Sequence, residues 1–465
     1  MGRLPKLKNG TKRFGKTEIL SFERFDFDFF ATSSGDLSAG KRFVAVEGEN
    51  CYADKDGLKA GVGLVPFTPF NKNLPSLAGL TVKEIFSLPV LESENVYSER
   101  LGVMAEYGAL YYCTSADTAF TRVVIFGGDM KPIVAMDGDG KTYPLFANGM
   151  LFYQTPKKVE TLINSNVAPI ACVYKNRVFC VIEPFTIAYS AALAPCDFSD
   201  SIDDSGRISF PSEKGKIVGL LPFEESLFVF YEYGVSRLSL AGRAREFTME
   251  KLEYDGGKIL QNSMGACGVD GAKVFFLASD GAYVFDGKKA RKICKNLAIN
   301  PLQNDCVCRC AESLGKYFLT FQDGTGAQKT LVVDGETEIG YYAFDLAGLS
   351  KVSGKAVCQL GDTLVEVVDG GVLPSGSACG FRALDVRFGK GVKTLKSVTF
   401  YGEGQVDVTI KCNGKAVKKR LFFEKGVAKM PVRLRGETFD FILALEKNTI
   451  IRRLDVELGV CDFKG

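Results

Sequence analysis

Histidine and tryptophan are both missing from this 465-residue chain. Without histidine there is no Ser-His or Cys-His nucleophilic pair, no imidazole general base and none of the commonest metal ligand. Without tryptophan a sugar-binding cleft loses its preferred stacking platform, although Tyr and Phe can substitute. No run of about 18 apolar residues occurs, so no membrane-spanning helix is expected. No stretch of helical length places apolar residues at i, i+3, i+4 and i+7 between caps. The best short helical candidates are Leu80–Leu88 and Asn296–Gln303. Met1-Gly2-Arg3 opens a basic, polar arm rather than the apolar core of a secretory signal.

What the chain does hold is 36 Phe and 50 Gly, a composition that favours short strands and many turns. The densest signal runs from Ala171 to Leu240. An apolar strand meets the polar turn Tyr174-Lys175-Asn176-Arg177 and returns as a second strand. Ile187-Ala188-Tyr189-Ser190 then leads into an acidic loop. Two further strand pairs turn at Glu224-Glu225-Ser226 and at Glu232-Tyr233-Gly234. The next segment repeats the scheme: Lys273–Ala278 turns at Ser279-Asp280-Gly281 into Ala282–Phe285, which turns at Asp286-Gly287 into Lys292-Ile293. Spacing of this kind predicts consecutive antiparallel strands of about five to eight residues joined by turns of about two to five.

These segments resemble β-propeller tail proteins of tailed bacteriophages. The resemblance lies in strand–Lys175-Asn176-Arg177–strand, the I-x-Y-S strand, Asp197-Phe198, the aspartate-rich loop, Leu220-Leu221-Pro222-Phe223, and KVFFLASDGAYVFDGKKARKI over 273–293. The opening Leu4-Pro5-Lys6-Leu7-Lys8 is also similar to the start of such prophage proteins. The closest likeness covers roughly residues 165–345. It implies a hub, nozzle or stabilisation component of a short-tailed phage or prophage. Such a protein works in the virion tail after synthesis in the host cytoplasm, as a ring-shaped homo-oligomer, with a hexamer implied. Other tail or portal-adaptor proteins, tail fibres or spikes, and non-specific contact with translocating DNA are the partners it implies.

The expected fold is therefore all-β: a basic N-terminal arm over 1–17, a β-propeller of six to eight blades over 18–372, and a C-terminal β-sandwich over 378–465. Repeats of roughly 40–50 residues are the size of propeller blades. After Gly370–Ser377 the rhythm changes to seven longer strands: Ala383–Phe388, Thr394–Tyr401, Gln405–Lys411, Val417–Phe423, Val427–Arg433, Phe439–Leu445 and Ile450–Leu458. Alternation in Val406–Lys411 and Arg453–Leu458 predicts one buried and one wet face, and Cys412-Asn413-Gly414-Lys415 predicts a type I′ hairpin.

Chemistry is sparse. The 14 cysteines lie largely in apolar strands, as at Cys113, Cys172, Cys180, Cys358 and Cys412, and are read as reduced, buried small hydrophobes. Cys306-Val307-Cys308-Arg309-Cys310 places three thiols on one strand face. The spacing is not that of closed zinc sites, and the expected reading is the buried face of a central strand. Asp197–Gly206 offers carboxylates to a hard cation but lacks the full calcium-loop pattern, and is read as a solvated loop. Glu224-Glu225 and Asp203-Asp204 are adjacent in turns, not opposed as sugar cleavage requires. Asp323-Gly324-Thr325-Gly326 lies between strands and is hairpin punctuation rather than a phosphate loop. No enzyme activity, catalytic residue, metal site or cofactor is expected.

Charge is uneven. Residues 381–465 carry 18 Lys and Arg against 10 Asp and Glu, a surplus of eight in a chain whose net charge is +3. Such a basic module fits docking on an acidic neighbouring subunit, contact with DNA phosphates, or a solvated sheet face. Three functions follow: a virion structural protein that extends the DNA conduit and gives fibres or spikes an attachment platform; a glycan- or receptor-binding propeller adhesin; and a propeller glycosidase.

Overall fold

Strands make up the regular structure, and the described residues include only two short helical turns, Glu106–Gly108 and Ser212–Lys214. A computed structural model describes residues 17–27, 33–54, 56–61, 63–93, 96–155, 158–199, 205–240, 247–267, 273–285, 289–293, 308–322, 328–334, 338–342, 346–368 and 379–460. No helix among them is long and apolar enough to cross a membrane. The candidate helix Leu80–Leu88 is instead part of the strand Val82–Ser93. A bulge between Val82 and Glu84 shifts the strand's phase, so the buried residues Val82, Ile85 and Phe86 fall at the spacing of a helix face. Asn296–Gln303 lies outside the described residues.

The chain divides into two units. A terminal unit combines residues up to Ala60 with those from Ala378 onward, and a central unit spans Gly61–Ser377. This corrects the expected boundary at residue 18: the stretch 18–60 belongs with the C-terminal strands.

In the terminal unit, Thr17–Phe27 pairs in parallel with Lys41–Ala45 and antiparallel with Ile450–Val460. Lys393–Glu403 pairs with both Ile450–Val460 and Val427–Gly436. A second sheet runs in the order Glu47–Glu49, Gly380–Val386, Phe439–Leu445, Gln405–Cys412, Lys415–Phe422. All seven strands expected after residue 378 are present, within a few residues at each end. Asn413 and Gly414 have φ of 48° and 74°, as the type I′ turn requires. Between the sheets lies an interior of phenylalanine rings. Phe43 sits 5.1 Å from Phe22 and 5.2 Å from Phe441, and Phe381 sits 5.8 Å from Phe25 and 5.5 Å from Phe27. Rings from residues 22–43 thus supply half of a core whose other half comes from residues 381–441.

The central unit is a succession of small antiparallel sheets. The first contains Val82–Ser93, Val96–Ala105, Ala109–Cys113 and Thr121–Ile125. A six-stranded sheet follows, from Lys131–Met136 to Gly206–Ser209. Its strand Val159–Tyr174 pairs first with Thr142–Gln154 and then with Arg177–Ile182. The two halves bury Ile133, Leu145 and Leu151 against Val178, Cys180 and Ile182, so this sheet packs on itself. Sheets over Ile217–Leu252, Gly265–Ile293 and Arg309–Tyr342 come next. The last, over Ala347–Val368, takes its fourth strand from Gly63–Pro66.

Consecutive sheets share cores. Phe179 and Tyr189 pack with Leu227 and Val229, Phe228 and Phe230 with Phe276 and Phe285, and Phe275 stacks on Tyr317 at 5.5 Å. The last sheet packs back on the first through Val352, Val357 and Leu364 against Ile85, Leu101 and Val103. Gln359 staples that junction: its Oε1 accepts the Val82 N–H at 2.8 Å and its Nε2 donates to the Leu80 carbonyl at 2.7 Å. Seven leading strands touch in turn, beginning at Val82, Lys131, Val159, Ile217, Gly265, Arg309 and Ala347, and the seventh touches the first.

The ring interior of the terminal unit generates a direct test. Phe43→Ala is expected to cost about 3–5 kcal/mol, the usual range for emptying a buried ring site. Urea unfolding monitored through the terminal unit should show the lower midpoint. A loss below about 1 kcal/mol, the scale of an exposed site, would remove Phe43 from the core.

Candidate interaction surfaces

Turn chemistry accounts for most of the perturbed carboxylates. Asp280 sits in a two-residue turn; its Oδ1 accepts the Gly257 N–H at 2.8 Å and its Oδ2 accepts the Tyr283 hydroxyl at 2.6 Å. Burial alone would raise its pKa, but these bonds and nearby Lys292 outweigh burial and lower it. Asp137 behaves alike: burial opposes, and bonds from the Lys141 N–H and the Tyr143 hydroxyl prevail. The Ser199 hydroxyl and N–H hold Asp197 low, and the Thr114 hydroxyl and N–H hold Asp117 low. In the terminal unit, Asp455 is buried enough to be raised, yet Arg453, Ser21 and Tyr401 lower it. A general acid working near neutral pH needs a raised carboxyl, and each of these is shifted the other way.

The residues singled out in the sequence take structural places. Glu225 pairs with Lys175, and its carbonyl accepts the Tyr174 hydroxyl at 2.7 Å, which ties two hairpin turns together. Lys175 and Asn176 have φ of 49° and 58°, the pair of left-handed residues a type I′ turn needs. In the acidic loop Asp197 caps its own turn, while Asp200, Asp203 and Asp204 lie outside the described residues. Asp286-Gly287 and Asp323–Gly326 also lie outside them, as does the arm Arg3–Lys16.

Of the cysteine triplet, Cys306 is outside the described residues, Cys308 is buried, and Cys310 donates its thiol to the Met264 carbonyl at 2.9 Å. Burial pushes the Cys310 thiol up to about 12, far from the thiolate that binds metals. The strand Arg309–Ser313 is the end strand of its sheet, not a central one, which corrects that expectation. Its burial comes instead from the neighbouring sheets. Among the described residues no group of three or more Cys, Asp or Glu is arranged to hold a metal ion. Seven of the described cysteines are buried. A recess of about 480 Å³ lies between Thr161–Asn164 and Arg207, with Phe198 in its wall.

Two sheet edges stand out. The first is Thr121–Ile125, the terminal strand of the first central sheet, which among the described residues pairs only with Ala109–Cys113. It exposes Val123 and Ile125, the latter 53% exposed, beside Tyr107 at 76%. Sequence reasoning did not single it out. Its signal is the apolar run Val123-Val124-Ile125-Phe126, which carries none of the lysine or proline that usually guards an edge. The second is a pair of edges in the terminal unit, Lys415–Phe422 and Val427–Gly436, where Lys418, Lys419 and Arg420 are exposed as side chains of one strand. The terminal unit carries a net +10 and the central unit −7.

Because the lowered carboxylates remain ionised where the unfolded chain would protonate them, they stabilise the fold above the usual value near 4, and the contribution is lost as pH falls through the lowered folded value. Asp280→Asn is expected to lower stability at pH 7 by about 1–2 kcal/mol and to flatten the loss of stability between about pH 5 and 2. Urea melts across that range would show it; an unchanged slope would separate Asp280 from acid unfolding. For the thiols, a native-state titration with an aromatic disulfide reagent should react slowly and incompletely, because buried thiols remain protonated. After denaturation without reductant nearly all 14 should react. A clear deficit after denaturation would mean disulfides.

No family model matches this chain, and no curated protein matches it. Among solved structures it is similar to one described as YCF48 bound to D1 peptide, with a TM-score of 0.40 and 12% identity, over 66% of this chain and 98% of that one. It is also similar to a chain of the mitotic checkpoint complex, with a TM-score of 0.38 and 8% identity, over 67% of this chain and 100% of that one. A third likeness is to BBS1N in complex with ARL6DN, with a TM-score of 0.32 and 11% identity, over 57% and 80%. At these identities and scores the likenesses say nothing of activity or partners.

Proposed function

We propose that the central unit is a seven-bladed β-propeller, that the terminal unit is a β-sandwich built from both ends of the chain, and that the protein is a structural subunit of a short-tailed phage tail, a nozzle or hub component assembled as a ring. Seven leading strands in cyclic contact, and a last sheet completed by Gly63–Pro66, support the blade count. The blade packing and the strand taken from the far end of the unit make the platform rigid. The sequence resemblance over residues 165–345 supports the tail assignment. The downward shifts of the perturbed carboxylates favour a scaffold over a propeller glycosidase.

The observation that carries self-assembly is the open edge Thr121–Ile125. Beyond Arg122 and the bulge that follows it, the edge exposes Val123 and Ile125, which offers a pairing surface to another strand, and in a ring of identical copies every subunit meets the same surface of its neighbour. Attachment of fibres or spikes, and enclosure of a DNA conduit, belong to the same reading.

Sedimentation and negative-stain imaging of the purified protein test it. The expected outcome is a ring, converted toward monomer by Ile125→Glu with the unfolding midpoint moved by no more than about 0.5 kcal/mol, as for an exposed site. A wild-type protein that stays monomeric at high concentration, and is absent from tails in labelled particles, would overturn the reading.

A further inference from the structure

The guarded edges of the terminal unit carry more charge than guarding requires. Residues 415–436 contain eight Lys and Arg and a single acid, Glu424. One lysine or proline is enough to discourage pairing along an edge, and Pro431 already stands in Val427–Gly436. The two strands are the ends of different sheets. They are joined by the short turn 423–426, run in opposite directions and touch one another. At the far end Asn413 donates to the Arg435 carbonyl at 3.2 Å, which brings the hairpin turn beside the last residues of the second strand. The two strands therefore form one charged edge, a stripe about 26 Å long at about 3.3 Å per residue, whose cations point alternately to either side as successive strand residues do.

Two of the eight cations are engaged within the fold. Arg420 makes a bidentate pair with Asp407 at 2.7 Å, and Lys429 lies 3.7 Å from Glu457. Lys415, Lys418, Lys419, Lys425, Arg433 and Arg435 are exposed, with no ion-pair partner among the described residues. Acids elsewhere on the central unit have lysine or arginine partners close at hand: Glu225 with Lys175, Glu250 with Arg237, Glu253 with Lys289 and Glu366 with Lys355. A second copy thus offers a net −7 dispersed over its whole central unit and partly paired there, whereas the stripe is a dense line of one sign.

We infer that the paired edges Lys415–Phe422 and Val427–Gly436 form a sequence-independent seat for the phosphate backbone of double-stranded DNA. The complementarity is charge against charge along a line. A duplex presents one negative charge per about 1.7 Å of axis, and each phosphate neutralised by Lys or Arg releases a counterion. The stripe has no helix to enter a groove, and its rings are the neighbours Phe422 and, in the turn, Phe423 rather than a row spaced for successive bases, so it lacks the stacking platform of a single-strand binder. It deepens the tail reading, which implies DNA contact without residues, by naming the surface that makes it; the charge pattern carries it whether or not the protein forms rings, so the two readings can fail separately.

Fluorescence anisotropy of the full chain with a labelled duplex of about 24 base pairs, over about 50–300 mM salt, tests it. Six free cations predict that log affinity falls with log salt at a slope of about −5, with equal affinity for unrelated sequences. Replacing Lys418, Lys419, Arg433 and Arg435 by Gln should reduce the slope by about 3–4 and weaken binding at least about 100-fold at low salt, with an unchanged circular dichroism spectrum. Lys158→Gln, on the central unit, should leave both unchanged. Should the fourfold variant not fold, Lys418→Gln with Lys419→Gln is expected to halve the effect. Absence of duplex binding by the wild type at low salt would overturn the inference. So would equal competition by poly-glutamate of the same charge, or a variant that keeps its DNA affinity and loses only self-association. That last outcome would make the stripe a subunit contact.

Discussion

Burial of both faces of each small sheet is the constraint on which the central unit rests. Arg177–Ile182 is buried at every position, and Lys273–Ala278 at all but its first residue. A four-stranded sheet of that kind has no face for water, so it needs a neighbour on each side. A linear stack of such sheets would leave its two outermost faces bare. Return of the last sheet to the first removes both bare faces at once. Val352, Val357 and Leu364 then cover Ile85 and Val103, and Gln359 satisfies backbone groups that this junction takes out of water.

The same constraint explains what could be read from residues alone. In the terminal unit one face of each strand meets water, and alternation marks it plainly: Val427–Gly436 alternates exposed and buried along its length. The seven C-terminal strands and the Asn413-Gly414 turn were legible for that reason. In the central unit alternation is erased by two-sided burial, and hairpin turns such as Lys175-Asn176 carry the signal instead. Val82–Ser93 had neither cue near its start, and its bulge imitated a helix. The place of Thr17–Phe27 was not legible at all. Its partner Ile450–Val460 lies at the other end of the chain, and nothing local in Phe22, Phe25 or Phe27 distinguishes one sheet from another.

The candidate surfaces divide along the same line. Polar chemistry in the central unit is spent on turns: Asp137, Asp197 and Asp280 each hold backbone or hydroxyl donors, and their ionisation serves the fold. What remains for contact with other molecules is at the edges of sheets. There a strand's unpaired backbone meets either apolar side chains, as at Val123 and Ile125, or a line of cations, as at Lys418 and Lys419. The sequence showed the charge surplus of the C-terminal segment but not its concentration on two adjoining strands, because the adjacency depends on which sheets those strands end.

A unit closed by its first and last strands has a consequence for how the protein is made. The guanidinium of Arg453 donates to the Ser21 hydroxyl across 432 residues of chain. At ordinary translation rates those residues take on the order of tens of seconds to emerge. During that interval Phe22, Phe25, Phe27 and Phe43 have left the ribosome while Phe381 and Phe441 do not yet exist. Gly63–Pro66 waits almost as long for Thr363–Val368. The nascent chain therefore carries an exposed aromatic segment through most of its synthesis, and a holdase that covers residues 17–45 would act where the order of synthesis and the order of packing disagree most.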